Sequence, residues 1–214
     1  MSTYLRPAFT ASLAESLLAG ACINLISAHG QGRRRTLHDL RHTLADSLHI
    51  IHMNMRTYKV DYKHFLSDVT IQLKRQEASP QSLDSILGLI EKEERKSLLI
   101  LHNFDELRCP ESLNAGFNID FFQALNSINH RDNIAMLCVS EYAYSNYLLQ
   151  VDGSEIPLSN LDAKAMDLPG ITYDQILAEL HRRNEHSSEA LLQQLALSLR
   201  NQPAPYSALE NQNS

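Results

Sequence analysis

Apolar residues follow two patterns along this chain: short dense runs, and longer stretches in which they recur every three or four residues. The dense runs predict strands at about 22–27, 49–55, 97–101 and 134–139, with a further short strand at 153–158. The recurring positions predict helices at about 8–19, 32–47, 61–77, 82–95, 119–128, 173–184 and 187–201. Because strands and helices alternate, the pattern predicts a parallel sheet with helices on both faces.

The same pattern predicts how the chain is divided. Residues 1–158 contain the alternating strands and helices of an α/β domain. Residues 159–201 are helical, and a turn at Pro169-Gly170 precedes their helices. Residues 202–214 hold two prolines and mostly polar side chains, which predicts an extended or disordered tail.

Composition narrows the class of protein. The 43% hydrophobic and 21% charged residues are typical of a globular protein, and no apolar run approaches the roughly 20 residues that span a bilayer. The N-terminus lacks the basic and apolar regions of a signal peptide. Because Cys22, Cys109 and Cys138 have no metal-ligand spacing, we expect buried free thiols in a reducing cytoplasm. Without a membrane-spanning run, we expect no membrane partner. The net charge of −6 argues against a broad nucleic-acid surface but allows a local basic patch.

A glycine-containing loop lies between the first predicted strand and the helix that follows it. From Ser27 to Arg34 it reads Ser-Ala-His-Gly-Gln-Gly-Arg-Arg. A phosphate-binding loop has Gly, four residues, Gly, Lys, and then Ser or Thr, in this same context of strand, loop and helix. Aligned on Gly32, the chain has Ser27, Arg33 and Arg34 at the other defining positions. The stretch resembles the Walker A loop of P-loop ATPases, especially of the AAA and STAND-type branch, with three of its four defining residues replaced.

A second stretch carries the same resemblance. The most strand-like run of the chain, 97–101, is followed by His-Asn-Phe-Asp-Glu-Leu at 102–107. In STAND-type relatives the corresponding strand is often followed by Asp-Glu-Phe-Asp-Glu-Leu, whose first Asp is the Walker B acid. This chain has His102 at the position of that acid and Asn103 at the position of the Glu that polarises water in AAA-type enzymes.

Two further stretches extend the resemblance to roughly residues 8–200. Residues 134–140 are similar to the strand that ends in the polar sensor 1 residue, and residues 156–164 to the segment that leads into a helical lid. The resemblance implies an α/β fold, a three-layer P-loop-type parallel sheet with a small, lid-like helical C-terminal segment. It also implies that the strand after the loop lies centrally, flanked by the Walker B and sensor strands.

The substitutions fall on residues that support phosphoryl transfer, which depends on positioning and charge neutralisation. Arg33 keeps the charge of the usual Lys but is bulkier and planar, and Arg34 replaces the hydroxyl that coordinates magnesium. His102 cannot be an anionic partner of magnesium, and Asn103 cannot be a general base. We therefore expect a fold of the AAA/STAND-like ATPases without ATP hydrolysis, and no catalytic or metal-binding residues.

Nucleotide binding can survive these changes, because loop amides and a helix N-terminus favour anions. The candidate cofactor is ATP or ADP, without expected magnesium coordination. The candidate binding residues are His29, Gly30, Gly32, Arg33, Arg34 and Arg35. The three arginines contact the phosphate of a nucleotide or nucleic acid, contact a partner's acidic surface, or are solvated at the helix start. Their opposition to the helix macrodipole favours a ligand or a partner.

Other polar residues allow two interpretations each. His102 is either a hydrogen-bonded histidine at a strand end or a metal ligand, although no second ligand is in register nearby. Asp105 and Glu106 are either acids at a helix start or relocated catalytic groups. Ser140 is either a cap after a strand or a polar sensor, and Arg182-Arg183 either form a solvated helix face or reach phosphate.

These features predict a protein-binding or regulatory subunit of a larger assembly, with a protein partner or a homo-oligomer as its context. One alternative is an unorthodox nucleotide hydrolase in which Arg33, Asp105 and Glu106 replace the missing groups. Another is an accessory protein that associates with nucleic acid through the arginine loop, by analogy with AAA relatives in transposition and replication.

Overall fold

The computed structural model describes residues 4–75, 80–143, 148–151, 154–157, 161–183 and 187–210. The chain divides into two compact units, each built from separate stretches of sequence. The sheet unit comprises Glu15–Ile26 and Leu44–Asp167. The glycine-loop unit comprises Met1–Ala14, Ser27–Thr43 and Leu168–Ser214. The sequence-derived boundaries at residues 158 and 201 stay predictions.

The sheet unit is built on parallel strands. The strands of its main sheet, in the described part of the chain, are β1 (Cys22–Ile26), β2 (His49–Asn54), β3 (Ser97–His102), β4 (Ile134–Ser140) and β7 (Lys164–Asp167). They form a five-stranded sheet in the order β2-β3-β4-β1-β7. A separate antiparallel pair consists of β5 (Leu148–Val151) and β6 (Ser154–Pro157).

The helices follow the strands along the chain. They are α1 (Pro7–Leu18), α2 (Arg33–Leu44), α3 (Met55–Tyr58), α4 (Tyr62–Gln72), α5 (Leu83–Ile90), α6 (Pro110–Ala115), α7 (Ile119–Ser127), α8 (Tyr173–Arg183), α9 (Glu189–Arg200) and α10 (Pro205–Glu210). Short 3-10 helices occupy Phe104–Arg108 and Ile128–His130. Side-chain oxygens cap several of these helices; Asp61, for example, accepts a hydrogen bond from the His64 amide at 2.9 Å.

The predicted α/β class, with helices flanking a parallel sheet and a helical C-terminal segment, is confirmed. Every residue of β3 and β4 is buried, because both faces of the sheet are covered. Leu99 and Leu101 belong to the core on one face, and Leu98 and Ile100 on the other face are equally buried. This explains why both strands read as continuous apolar runs.

The expectation that the strand after the loop lies centrally is wrong. That strand, β2, is at one edge of the sheet, and β4 is in the middle, between β3 and β1. The other edge is β7, which pairs with β1 from Ile23↔Lys164 to Ile26↔Asp167. The apolar pattern missed β7 because its four residues, Lys-Ala-Met-Asp, are mostly exposed at the sheet edge. Residues 158–160, within the predicted lid-leading segment, lie outside the described residues.

An aromatic cluster fills the core of the sheet unit. The ring of Phe65 on α4 is stacked on that of Tyr62 at 6.0 Å and meets the edges of Phe117 and Phe121 at 5.6 and 5.9 Å. Phe117 and Phe121 also meet each other at 5.0 Å. Edge contacts of this kind add to the free energy gained by burying the rings. Cys22 and Cys138 are buried free thiols, as predicted, whereas the free thiol Cys109 is half-buried. Burial raises the pKa of Cys22 to about 11.

The glycine-loop unit has its own apolar core. Helices α8, α9 and α10 contribute Ile176, Leu180, Leu192, Ala196, Leu199 and Leu209. α10 lies within residues 202–214, for which composition predicts an extended or disordered tail. Residues Pro205–Glu210 form a helix because the side chains of Tyr206 and Leu209 are buried, with exposed fractions of 5% and 2%.

Truncating the centre of the aromatic cluster tests the packing of the sheet unit. Phe65→Ala removes a fully buried ring, so we expect a loss of about 3–5 kcal/mol in the free energy of unfolding. Ile71→Ala on the same helix is the control, because Ile71 is 52% exposed and should change stability by less than about 0.5 kcal/mol. Urea unfolding followed by circular dichroism measures both. Equal effects would contradict this packing.

Candidate functional site

The glycine loop, residues 27–32, leads from β1 into α2. Gly30 and Gly32 both have φ of +77°, a left-handed conformation that favours glycine. The Gly32 carbonyl accepts the Thr36 amide at 3.0 Å, which begins the hydrogen-bonding ladder of α2. The predicted context of strand, glycine loop and helix is therefore present in the structure.

Residues 203–209, here called the closing segment, lie directly on the glycine loop. The amides of Tyr206 and Ser207 donate to the Gly30 carbonyl at 3.0 and 3.4 Å. In return, Gln31 Nε2 donates to the Pro203 carbonyl at 3.0 Å. Backbone and side-chain hydrogen bonds thus join the two stretches in both directions.

The glycines allow this close approach. A Cβ added at Gly30 would overlap the Cβ of Ala204. A Cβ added at Gly32 would lie 2.9 Å from Cγ of Tyr206 and 3.0 Å from Cδ2 of Leu5. The space that missing side chains leave above the loop is therefore filled by the protein's own residues.

A buried guanidinium supports the loop. Arg6 is 1% exposed, and its Nη1 donates to Thr36 Oγ1 at 2.9 Å while its Nη2 donates to the Gln31 carbonyl at 2.6 Å. Its Nε donates to the Pro169 carbonyl at 2.9 Å. Burial lowers the pKa of Arg6 to about 10, against the opposing effects of Tyr206 and Asp39. The side chain is therefore charged at neutral pH.

The predicted binding residues lie together in the glycine loop and the first turn of α2. His29 and Arg34 are exposed, whereas Arg33 and Arg35 are half-buried. Arg35 Nε lies 3.0 Å from Oδ1 of the buried Asp39. Asp39 Oδ2 also accepts the Leu5 amide at 2.8 Å. The structure thus gives Arg35 a carboxylate partner, while the role of this set in nucleotide binding stays a prediction.

The Arg182-Arg183 pair holds an internal carboxylate. Arg182 Nη2 and Arg183 Nε donate to Oε1 of Glu179 at 2.6 and 3.0 Å, and Glu179 is 4% exposed. Burial raises the pKa of Glu179, but the hydrogen bonds and charges of the arginines outweigh it and lower the pKa overall. Arg183 also lies 5.4 Å from the centre of the Tyr206 ring and donates to the Leu209 carbonyl at 3.3 Å. This arginine therefore anchors the closing segment.

Sequence reasoning missed the residues that close the loop. Arg6 stands before Pro7, at a helix start, where nothing distinguishes it from a solvated arginine. Glu179 follows a common amphipathic pattern. The sequence offers one signal for this segment: Tyr206 and Leu209, an aromatic and an apolar residue, stand three positions apart in a mostly polar tail. Two such residues at helical spacing favour a short docked helix over disorder.

The second motif lies in the sheet unit and is described by itself. His102, at the Walker B position, is 5% exposed, and its ring lies 6.0 Å from that of His52. Asn103 has a left-handed backbone, with φ of 56°, which asparagine tolerates better than most residues. Its Nδ2 donates to Asn54 Oδ1 at 2.7 Å. Asn103 thus connects the carboxyl ends of β3 and β2.

The acids after this motif begin a 3-10 helix. Glu106 accepts hydrogen bonds from Arg56 Nε at 2.7 Å and Lys59 Nζ at 3.4 Å. Burial raises the pKa of Glu106, but these two cations outweigh it and lower the pKa. Glu106 is therefore a stabilised carboxylate in an ion-pair cluster. Oδ1 of Asp105 is buried without a hydrogen-bond partner.

The remaining polar candidates have local partners. Ser140 is buried, and its Oγ lies 2.9 Å from Asn24 Oδ1 and 2.7 Å from the Tyr142 carbonyl. This joins β4 to its neighbour β1 and to the turn that follows. Among the described residues, no group of three or more His, Cys, Asp or Glu side chains could hold a metal ion. Within the same residues, no helix has the length and apolar character needed to cross a membrane.

Comparisons with known proteins agree with this geometry at the level of the fold. No protein family and no curated protein matches the chain by sequence. Cdc6p from Pyrobaculum aerophilum superposes with a TM-score of 0.60 and 16% identity, covering 92% of this chain and 56% of that one. AMPPCP-bound DnaA from Aquifex aeolicus gives 0.57 and 12%, covering 96% and 58%. Drosophila ORC bound to AT-rich DNA and Cdc6 gives 0.54 and 15%, covering 96% and 74%.

The chain shares its fold, a parallel sheet with flanking helices and a helical C-terminal segment, with these solved structures. At identities of 16% and below, these likenesses concern the fold alone. The chain spans just over half the length of the Cdc6p and DnaA chains that it matches.

Substituting glycine in the loop tests the closure. Gly30→Ala forces a side chain to φ of +77° and against Ala204. The backbone should cost about 1–2 kcal/mol, and the overlap a further 1–3 kcal/mol or so. Gly20→Ala is the matched control, since Gly20 has φ of +92° with no atom within 4 Å of an added Cβ. Urea unfolding measures both variants. A Gly30 variant no less stable than the Gly20 variant would contradict the contact.

The Glu179 ion pairs predict a dependence of stability on pH. Because the folded-state pKa of Glu179 is lowered, its contribution is present above the pKa of the unfolded state and is lost as pH falls through the folded value. Glu179→Gln should therefore flatten the decline in stability as pH falls below the ordinary glutamate pKa of about 4.5. Glu15→Gln, at an exposed position, is the control. An unchanged decline in the Glu179 variant would show that these ion pairs do not contribute.

Proposed function

We propose that this protein is a non-hydrolysing domain of AAA-like fold that serves as a protein-binding or regulatory subunit of a larger assembly. The observation that carries the proposal is the glycine loop. Its Gln31 carbonyl and the nearby Thr36 hydroxyl are hydrogen-bonded to the guanidinium of Arg6, and its glycines are covered by the closing segment.

The chemistry around the loop favours loss of hydrolysis. Magnesium binds oxygen ligands in near-ideal octahedral geometry. Arg34, at the position of the usual Ser or Thr, offers no oxygen on its side chain. Thr36 has a hydroxyl, but it accepts a hydrogen bond from Arg6 and lies beside that positive charge. A metal cation near Thr36 would be repelled by the guanidinium.

The sheet unit supports the same conclusion. His102 and Asn103 offer neither an anionic magnesium partner nor a general base. The alternative of an unorthodox hydrolase needs Asp105 and Glu106 as replacements. Glu106 is already bound by Arg56 and Lys59, so using it as a base would require these ion pairs to break.

A role as a binding or regulatory subunit is supported by the fold and by the solved structures that share it. The matched Cdc6p and DnaA chains are longer than this one, and the matched ORC structure contains several components. A domain that keeps such a fold without its chemistry can still offer binding surfaces to other chains. We therefore place this protein in an assembly with a protein partner or with further copies of itself.

Nucleic-acid association is the weaker candidate. It is suggested by the DNA in the matched ORC structure and by the arginine loop. Of the three arginines, however, only Arg34 is exposed, and Arg35 is paired with Asp39. The net charge of −6 adds no general attraction for phosphate backbones.

Phosphate release from ATP with magnesium tests the proposal. We expect the purified full chain to show no turnover above background, and Arg33→Ala and Asp105→Asn to be indistinguishable from it. Turnover that Asp105→Asn abolishes would establish the unorthodox hydrolase instead.

In native cell extract, size-exclusion chromatography should place the chain well above its own mass of 24.2 kDa. Elution as a monomer would contradict the role in an assembly.

A further inference from the structure

We propose that the closing segment is an internal ligand of the glycine loop, and that the phosphates of ATP or ADP bind there only when the segment leaves. The inference rests on the proposed function in treating the loop as the remains of a phosphate-binding loop. It adds a regulatory state to that loop, closed by the chain's own C-terminal residues or open to phosphate. It does not depend on whether bound nucleotide is hydrolysed.

Backbone hydrogen bonds join the closing segment to the glycine loop. The amides of Tyr206 and Ser207 lie in the first turn of α10, where helix amides have no acceptor within the helix. The Gly30 carbonyl accepts from both. The loop therefore completes the N-terminal end of α10, and a helix of only six residues has little stability without such a contact.

The closing segment fills the space beside Gly30 and Gly32. In a phosphate-binding loop, glycine lets the ligand come close to the backbone. Here Ala204 and Tyr206 occupy the positions that side chains at Gly30 and Gly32 would fill. A phosphate group approaching these glycines from that side would overlap the same atoms, so the two occupants exclude each other.

The closing segment and a phosphate group differ in charge. Residues 203–209, Pro-Ala-Pro-Tyr-Ser-Ala-Leu, contain no acidic side chain. The closing segment therefore brings no negative charge to a loop that has Arg6 beneath it and Arg33 and Arg34 after it. A phosphate brings that charge, and it would also favour the positive end of the α2 dipole. An anion thus has an electrostatic advantage over the present occupant.

A few identifiable groups hold the closing segment in place. The Arg183 guanidinium lies over the Tyr206 ring, and its Nη2 lies 3.1 Å from the Tyr206 hydroxyl. Leu209 is buried in the apolar core of the glycine-loop unit. Because the contacts on Gly30 and Gly32 come from Ala204, Tyr206 and Ser207, single substitutions there can open the loop while the unit remains folded.

Two variants of the full chain open the loop in different ways. Tyr206→Ala removes the ring that lies against Gly32. Ser207→Pro removes an amide that donates to Gly30 and places the proline ring near that carbonyl, in a first helical turn where proline is tolerated. The matched controls are Tyr142→Ala, at an exposed tyrosine, and Ala190→Pro, in the first turn of α9. Circular dichroism checks the folding of each, and Ser207→Pro decides if Tyr206→Ala unfolds.

Calorimetry with ATP and with tripolyphosphate, both in EDTA, provides the readout. If the open state is rare in the wild type, the apparent affinity of the wild type for phosphate ligands is reduced in proportion. Each opening variant should therefore bind both ligands at least about tenfold more tightly than the wild type and the controls. Equal affinity in all proteins would overturn the inference, as would binding by none. A gain for ATP without a gain for tripolyphosphate would also overturn it, because the loop would not be the phosphate site.

Measuring phosphate release on the same opening variants separates this inference from the proposed function. Turnover by an opening variant would contradict a non-hydrolysing domain but would leave the closing segment established. Tighter binding without turnover would support both.

Discussion

The contact between two glycines and the closing segment governs the organisation of the glycine-loop unit. Gly30 and Gly32 have conformations that other residues adopt only with strain, and a side chain at either position would meet Ala204 or Tyr206. The glycines of this loop therefore have a structural reason that is independent of any ligand. The same property that admits a phosphate to a backbone admits a peptide segment here.

Charge in this unit is balanced internally. Arg6 is nearly inaccessible to solvent, and its three hydrogen bonds to oxygens, with Asp39 nearby, compensate for the loss of hydration. Arg35 pairs with Asp39, and Arg182-Arg183 pair with Glu179. The carboxylates of Asp39 and Glu179 thus balance the charges of these arginines. Both carboxylates are buried, so removing their arginine partners would leave a buried charge without compensation.

The sequence was most informative where burial alone determines structure. β3 and β4 are buried on both faces, so their continuous apolar runs were sufficient to predict them. β7 could not be predicted in this way, because its pairing with β1 depends on long-range backbone hydrogen bonds and its side chains are mostly exposed. The position of β2 at the edge of the sheet is likewise a matter of topology, which local patterns do not encode.

The sequence predicts the glycine loop itself but not the segment that lies on it, and the role of the loop as a binding site stays a prediction. The loop and its arginines follow from a short motif. Closure instead depends on contacts between distant parts of the sequence, of Arg6 with the loop and of Arg183 with Tyr206. Composition suggested a disordered tail because prolines and polar residues outnumber the few apolar ones. In the structure, two buried side chains, the hydrogen bonds to the Gly30 carbonyl and the contacts of Arg183 together hold this short helix.

The most direct test of the closed loop is a nuclear Overhauser measurement on the isotopically labelled full chain. The structure predicts a strong cross-peak between the Ala204 methyl protons and the α-protons of Gly30, since the two residues are in contact. It also predicts ring-current shifts at Gly32 from Tyr206. Absence of the cross-peak, together with unfolded-chain chemical shifts for residues 203–209, would contradict the account.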